Sequence, residues 1–347
     1  MHQISHPIAI RSRHGRFAIA AVLVFATLAI GRPGAAAEKI KIGTLMTTGT
    51  GPIFIAQERG YFTAEGLEAE TVPFDAGQPV AVAAVSGDID FGAAGVTSAL
   101  YTLAAQGALR LIGGWAYDAP SFHTSGVLAS NHAYDGGLTS LKALGGHTIG
   151  LTQIGSSYQY ALSLIAAKSG ADVTTMRMVP LQSFSNIASA IAGGQADATI
   201  LISNIALPLV AHGSAKSLAW VGDETPWQVA VIWTSTKIAN ERRDTVERFL
   251  RALRKGAKDY VSAFVDKGGL RQDGPTAPEA YSILGKYLGQ TTDQMKVAIG
   301  YNDPELRLDV KDIGRQIAWY RAQGMIKGEI DIDQVIDKRY VTPLPQR

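Results

Sequence analysis

Thr47, Thr48 and Thr50 place three hydroxyls within four residues, spaced by Gly49 and closed by Gly51-Pro52. Hydroxyls can pair the polar atoms of a small solute, and glycine lets that solute approach the backbone. Three other stretches have the same make-up: Gly95-Val96-Thr97-Ser98, Gly155-Ser156-Ser157-Tyr158 and Ser203-Asn204. The chemistry on offer is binding, because no nucleophile stands beside a base. The chain carries no GxSxG, HExxH or P-loop, and no GxGxxG followed by a suitable acidic residue. It has no cysteine, which removes thiol catalysis and cysteine-held zinc. We therefore expect no enzyme, cofactor or metal. His123 and His147 are isolated and read as structural. The tryptophans read as packing, except Trp115 and Trp227, which fall near chain crossings and are expected at the ligand.

Each hydroxylated stretch needs a strand before it and a helix after it. Lys39 to Gly43 alternates as a strand, and Pro52 opens a helix that stops at Gly60. Strand signals follow at Leu67–Val72, Asp90–Ala93 and Leu109–Ala116, with helices at Gln78–Val85 and Thr97–Gln106. The pattern restarts with strands at Thr148–Leu151, Met176–Pro180 and Ala198–Ile202. Helices there read Tyr158–Ser169 and Asn186–Ala192. Alternating strands and helices predict an α/β fold with largely parallel sheet. In such sheets ligands sit beyond the carboxyl ends of the strands, where helix starts favour oxyanions. Ser and Thr are also the ordinary caps of helices, so any single loop has a structural explanation. Four such loops at matching positions point to a shared cleft.

The two runs coincide by counting. Gly43 to Gly87 and Gly150 to Gly194 are each 44 positions; Gly43 to Asp90 and Gly150 to Asp197 are each 47. Both carry Gly-x-x-Asp between a helix and a short apolar strand, with the aspartate read as a structural acceptor. We expect two similar α/β lobes. Crossings near Ala119–Val127 and Gln228–Ser235 would form a two-strand hinge. The expected division is 38–122 with 229–347 in one lobe and 123–228 in the other. The late segment reads as helices at Arg242–Asp266, Ala277–Lys286 and Ile313–Gln323, and "LGQTTDQMKVAIG" also looks helical.

The first 37 residues read as a secretory signal peptide: basic at Arg11, Arg13 and Arg16, apolar from Phe17 to Ile30, small at Ala35-Ala36-Ala37. The formal charge of +2 owes itself to this leader, whose four arginines are balanced by no acid. The remainder sets 28 basic residues against 30 acidic ones, which leaves no nucleic-acid footprint. With 46% apolar residues the chain can bury a large core.

The segment "KIKIGTLMTTGTGPIFIAQERGYFTAEGLEAETVPFDAGQPVAVAAVSGDIDFGAAG" resembles the opening lobe of periplasmic substrate-binding proteins of ABC importers, in the nitrate/sulfonate/taurine branch. "LKALGGHTIGLTQIGSS" and "GGQADATI" are similar to the punctuation of that family's second lobe. The resemblance implies the two-lobed periplasmic-binding-protein fold (type II), closing by a hinge on a small-molecule ligand. It implies a monomer in the periplasm, with an inner-membrane ABC permease as partner. Transferred residue by residue, the ligand loops are Thr47 to Thr50, Gly95 to Ser98 and Gly155 to Tyr158. No arginine or lysine stands in these loops, so a small oxyanion and an uncharged or aromatic solute both remain compatible. A ligand-sensing protein for a membrane receptor is the alternative. An exported pyrimidine-related enzyme is a further one, disfavoured because those relatives resemble cysteine-bearing proteins.

Overall fold

The computed structural model describes residues 36–345; the expected leader falls on residues 1–35, outside the described residues, and on exposed Ala36 and Ala37. The strands among the described residues are, in chain order, β1 (Glu38–Thr44), β2 (Leu67–Pro73), β3 (Phe91–Gly95), β4 (Leu109–Gly114) and β5 (Ala116–Asp118). Then come β6 (Ser125–Ser130), β7 (Thr148–Leu151), β8 (Arg177–Pro180), β9 (Ala198–Ile202) and β10 (Ala215–Trp220). The last are β11 (Trp227–Gln228), β12 (Ala230–Ser235) and β13 (Tyr301–Asn302).

They form two five-stranded sheets, ordered β2-β1-β3-β12-β4 and β8-β7-β9-β6-β10. These orders are the same plan twice. In each, the second strand of the run lies at one edge, then the first, then the third. A strand arriving from the other lobe follows, and the fourth strand closes the far edge. The arriving strands, β12 and β6, run antiparallel to both neighbours. The expectation of largely parallel sheet is corrected at that one strand in each lobe. A chain that returns from the opposite lobe enters the sheet from its other end.

The repeat extends to individual bonds. The Lys41 N–H donates to Asp90 Oδ2 at 2.8 Å, and the Asp90 N–H donates back to the Lys41 carbonyl at 2.9 Å. Thr148 and Asp197 exchange the same two bonds at 2.8 and 2.9 Å. Gly87 and Gly194 turn the chain between helix and strand with φ of 85° and 71°, which a side chain would strain. The N–H groups of Asp88 and Ile89 both reach the Ala83 carbonyl; those of Gln195 and Ala196 both reach Ala190. The Gly-x-x-Asp motif is thus a structural joint.

Alternation in β1 turns Ile40 and Ile42 into the core and leaves Lys39 and Lys41 outside. The helix Gly51–Glu58 is buried from Gly51 through Ala56, as its unbroken apolar run requires. It packs on the helix Arg243–Phe264, where Gly256 keeps the backbones close: a Cβ there would stand 2.2 Å from the Pro52 carbonyl oxygen. Phe249 of that helix stacks on Phe91 at 3.9 Å between centroids. Burying each such ring contributes roughly 2–3 kcal/mol. Glu38 ties β1 to the same helix through Arg242, Thr245 and Arg248.

The hinge has the two expected crossings and one strand more. The chain leaves the first sheet after Gly114, passes through β5 and enters the second at Ser125; it leaves after Trp220, passes through β11 and returns as β12. β5 and β11 pair antiparallel, with Trp227 opposite Asp118 and Gln228 opposite Tyr117. β13 adds a third strand on the other side of β5, with Asn302 opposite Ala116. The segment Ala230–Ser235, read as crossing, is an inner strand of the first sheet. Of "LGQTTDQMKVAIG", Leu288 ends the helix Ala277–Leu288 and Thr292–Lys296 is helical, while the rest is not. Among the described residues no helix is long and apolar enough to cross a membrane.

Candidate functional site

The carboxyl ends of β1, β3, β7 and β9 face one another across a cleft of about 790 Å³, part of it open to solvent. From the first lobe it is lined by Thr47, Thr48, Gly49, Thr50, Gly95 and Thr97. From the second come Ser156, Ser157, Tyr158, Ser203 and Asn204, and Trp115 stands between the lobes beside β5. All four hydroxylated stretches of the sequence meet here.

Four of the expected residues do not line it. Val96 is fully buried, with its N–H bonded to the Val229 carbonyl at 3.1 Å. Ser98 and Gly155 are spent on each other: the Ser98 N–H donates to the Gly155 carbonyl at 2.9 Å. This bond joins the lobes directly, and glycine is needed because a Cβ on Gly155 would stand 2.0 Å from Ser98 Oγ. Trp227 turns away into the hinge, where its indole N–H donates to Asp118 Oδ2 at 2.8 Å.

Other lining residues lie beside the motifs. Thr44, Ala93, Ala94, Thr152 and Ile202 sit at or next to strand carboxyl ends, so the same positional rule could have found them. Gly77 and Phe184 open the equivalent helix of each lobe. Phe184 meets the Tyr158 ring at 6.0 Å, so Trp115, Tyr158 and Phe184 give the cleft an aromatic side. Thr124 lies on the crossing into β6 and Gln153 after β7. No local signal marks Thr124.

The hydroxyls are engaged in different ways. The Thr44 hydroxyl donates to the Ala93 carbonyl at 2.7 Å, and Thr50 donates to Leu45 at 2.5 Å. Thr48 donates to the carbonyl of Ala298, which Ser203 of the other lobe also reaches at 3.4 Å. Thr97 caps its helix by accepting from the Leu100 N–H at 3.0 Å. Ser156 holds the equivalent place before the helix Ser157–Ser169 yet caps nothing. Ser156 is 3% exposed and its hydroxyl has no hydrogen-bond partner among the described residues; the side-chain amide nitrogen of half-buried Gln153 is also a buried atom with none.

No charged side chain lines the cleft. One lies just behind it. Asp118, 1% exposed, accepts from Ser125 Oγ at 2.8 and 2.9 Å and from the Trp227 indole. Burial pushes its carboxyl up to about 7 against the lowering effect of these two donors. Burial, and then the neighbouring Asp118, also push the Tyr158 phenol well above its ordinary value. Arg177 is committed to the Thr148 hydroxyl at 2.7 Å. Among the described residues no group of three or more acidic or histidine side chains could hold a metal ion.

Residues 47–263 match the model of a family described as NMT1/THI5 like. The chain belongs to the NMT1/THI5-like family. Solved structures similar to this family member include the alkanesulfonate-binding protein SsuA from Xanthomonas axonopodis pv. citri bound to MOPS. It is 22% identical, with 89% of this chain and 100% of that one covered and a TM-score of 0.68. The periplasmic aliphatic sulphonate binding protein SsuA from Escherichia coli is 16% identical, with 89% of this chain and 94% of that one covered and a TM-score of 0.66. The periplasmic nitrate-binding protein NrtA from Synechocystis PCC 6803 is 11% identical over 88% and 87%, at 0.69. At these identities the likeness shows the fold, which for this NMT1/THI5-like chain is that of periplasmic binding proteins. No curated protein matches the sequence.

Proposed function

We propose that this NMT1/THI5-like protein is a periplasmic solute receptor. It captures a small organic solute or oxyanion between its lobes, closes by hinge motion, and hands the solute to an ABC permease. The observation that carries the reading is the cleft itself. Two lobes of one topology turn the carboxyl ends of their strands toward each other, and both contribute hydroxyls to one wall-to-wall site. Residues 38–122 with 229–347 form one moving body and 123–228 the other, with β5 and β11 between them. Residues 1–37 direct export and are cleaved near Ala37, and the mature chain works as a monomer. The solute favours the closed form by contacting both lobes at once, which is the differential affinity that any ligand-driven closure needs. The SsuA and NrtA proteins are named for sulfonates and nitrate, which places those solutes in the first panel to be tried.

A thermal-shift screen of residues 38–347, stripped of co-purified solute, tests the reading. The panel holds taurine, alkanesulfonates, nitrate, aromatic carboxylates and carboxamides, and pyrimidines. A solute at about 100 times its Kd adds roughly 2.7 kcal/mol to stability, or several degrees in Tm. A shift confined to one class supports the reading and names the class. No shift across a panel this wide counts against it.

A further inference from the structure

Three hydroxyl protons of the cleft are already assigned, and their assignment constrains the solute. A hydroxyl has one proton and two lone pairs. A backbone carbonyl can only accept, so a hydroxyl bonded to one has given its proton away. Thr44, Thr48 and Thr50 are each in that position, donating to Ala93, Ala298 and Leu45. These three oxygens can therefore only accept; Thr47, whose hydroxyl stands 3.4 Å from Thr50 Oγ1, is the neighbour that still has a proton to give. Three N–H groups close behind the cleft wall are also taken. The Ser98 N–H goes to Gly155, the Leu100 N–H to Thr97 Oγ1, and the Gly155 N–H to Gln159 Oε1 at 2.7 Å. The second lobe keeps two free donors among the described residues, although its Ser203 hydroxyl also reaches the Ala298 carbonyl at 3.4 Å. Ser156 Oγ and Gln153 Nε2 have no partner, and the helix Ser157–Ser169 opens beside them with first-turn N–H groups that no helical carbonyl serves.

We infer that the cleft selects an uncharged solute carrying N–H donors and a carbonyl-type acceptor, a primary carboxamide being the simplest pattern, over a sulfonate, carboxylate or nitrate. The inference rests on the cleft being the solute site. The donors of the solute meet the lone pairs of Thr44, Thr48 and Thr50 on the first lobe. Its acceptor meets Ser156 and Gln153 on the second. An oxyanion at neutral pH brings only acceptors, so three buried oxygens would face it with no proton between them. An unmade bond of that kind is expensive when buried. No cationic side chain lines the cleft to offset the cost.

Matched pairs test this with charge as the main variable: nicotinamide against nicotinate, benzamide against benzoate, and methanesulfonamide against methanesulfonate. Each is titrated calorimetrically into residues 38–347 at pH 7.5. The expected result is that within each pair that binds, the amide binds at least about tenfold tighter, or about 1.4 kcal/mol. Thr50→Val removes one acceptor at nearly constant shape and is expected to narrow the preference by weakening the amide only. Thr50→Ser keeps the oxygen and the preference, which separates a binding role from a folding defect. An anion that binds as tightly as its amide overturns the inference, as does the absence of binding by every pair at 10 mM, roughly a 3 kcal/mol floor. If an anion binds and Ser156→Arg removes it, the site reading survives while the donor–acceptor inference fails.

Discussion

Ser156→Arg abolishes solute binding while leaving the unfolding transition in place. Ser156 occupies a helix-capping position without capping, so the substitution removes no bond within the fold. Its side chain borders a cleft that opens to solvent, so a guanidinium can extend into it. It then fills the volume the solute requires and sets a charge among neutral walls. The expected loss is at least about 100-fold in Kd, or about 2.7 kcal/mol. Titration of the tightest solute from the screen measures it, and circular dichroism melts check the fold. Thr48→Arg should have the same effect from the opposite lobe, at some cost in stability because Thr48 also holds Ala298. Normal binding by both variants would remove the cleft from the account.

The second large effect concerns Asp118. Its carboxyl, ordinarily near 3.8, is pushed up to about 7 by burial. Between those values the folded protein holds a proton that the unfolded chain has released. The stability this contributes is fully present below about pH 4 and is lost as the pH rises to 7. The loss is on the order of 4 kcal/mol, at about 1.4 kcal/mol per pKa unit. Tyr158 is the titratable neighbour that faces Asp118 across Ser125; it stays protonated throughout this range. Asp118→Asn keeps an acceptor for the Trp227 indole and does not titrate. Its stability relative to the parent protein should therefore climb from pH 4 to pH 7 and stay level above. Urea unfolding across pH 4 to 8 measures the difference. A difference that does not change with pH would mean that Asp118 is ionised in the folded protein throughout. Glu58 acts in the opposite sense, because bonds from Lys286 and Tyr287 hold it below its ordinary value. Its contribution appears in both proteins and cancels in the comparison.

What the sequence disclosed follows from the range of the interactions involved. The joints at Gly87/Asp90 and Gly194/Asp197 are local: a glycine that must take positive φ and an aspartate that accepts a nearby N–H leave their mark within a few residues. The four hydroxylated loops were legible for a related reason, since the carboxyl end of a strand followed by a helix start is a position that can be counted. The partnership of Ser98 with Gly155 was not legible, because it depends on how closely two lobes meet. Nor was the place of Ala230–Ser235 between β3 and β4, because an apolar run suits an inner strand of either direction. Trp227 illustrates the limit well. Its nearness to the crossing was evident, but whether its indole faced the cleft or Asp118 was decided by a buried carboxylate 109 residues away. The third hinge strand, β13, is two residues long and carries no periodicity to detect.

The central claim is that one small solute is held by both lobes at once in the cleft. The most direct test is a crystal structure of residues 38–347 grown with the tightest solute from the screen. Electron density for the solute is expected between Trp115, Ser156 and Thr48, with its polar atoms bonded to side chains of both lobes. Density for the solute elsewhere on the protein, with the cleft holding only water, would contradict it.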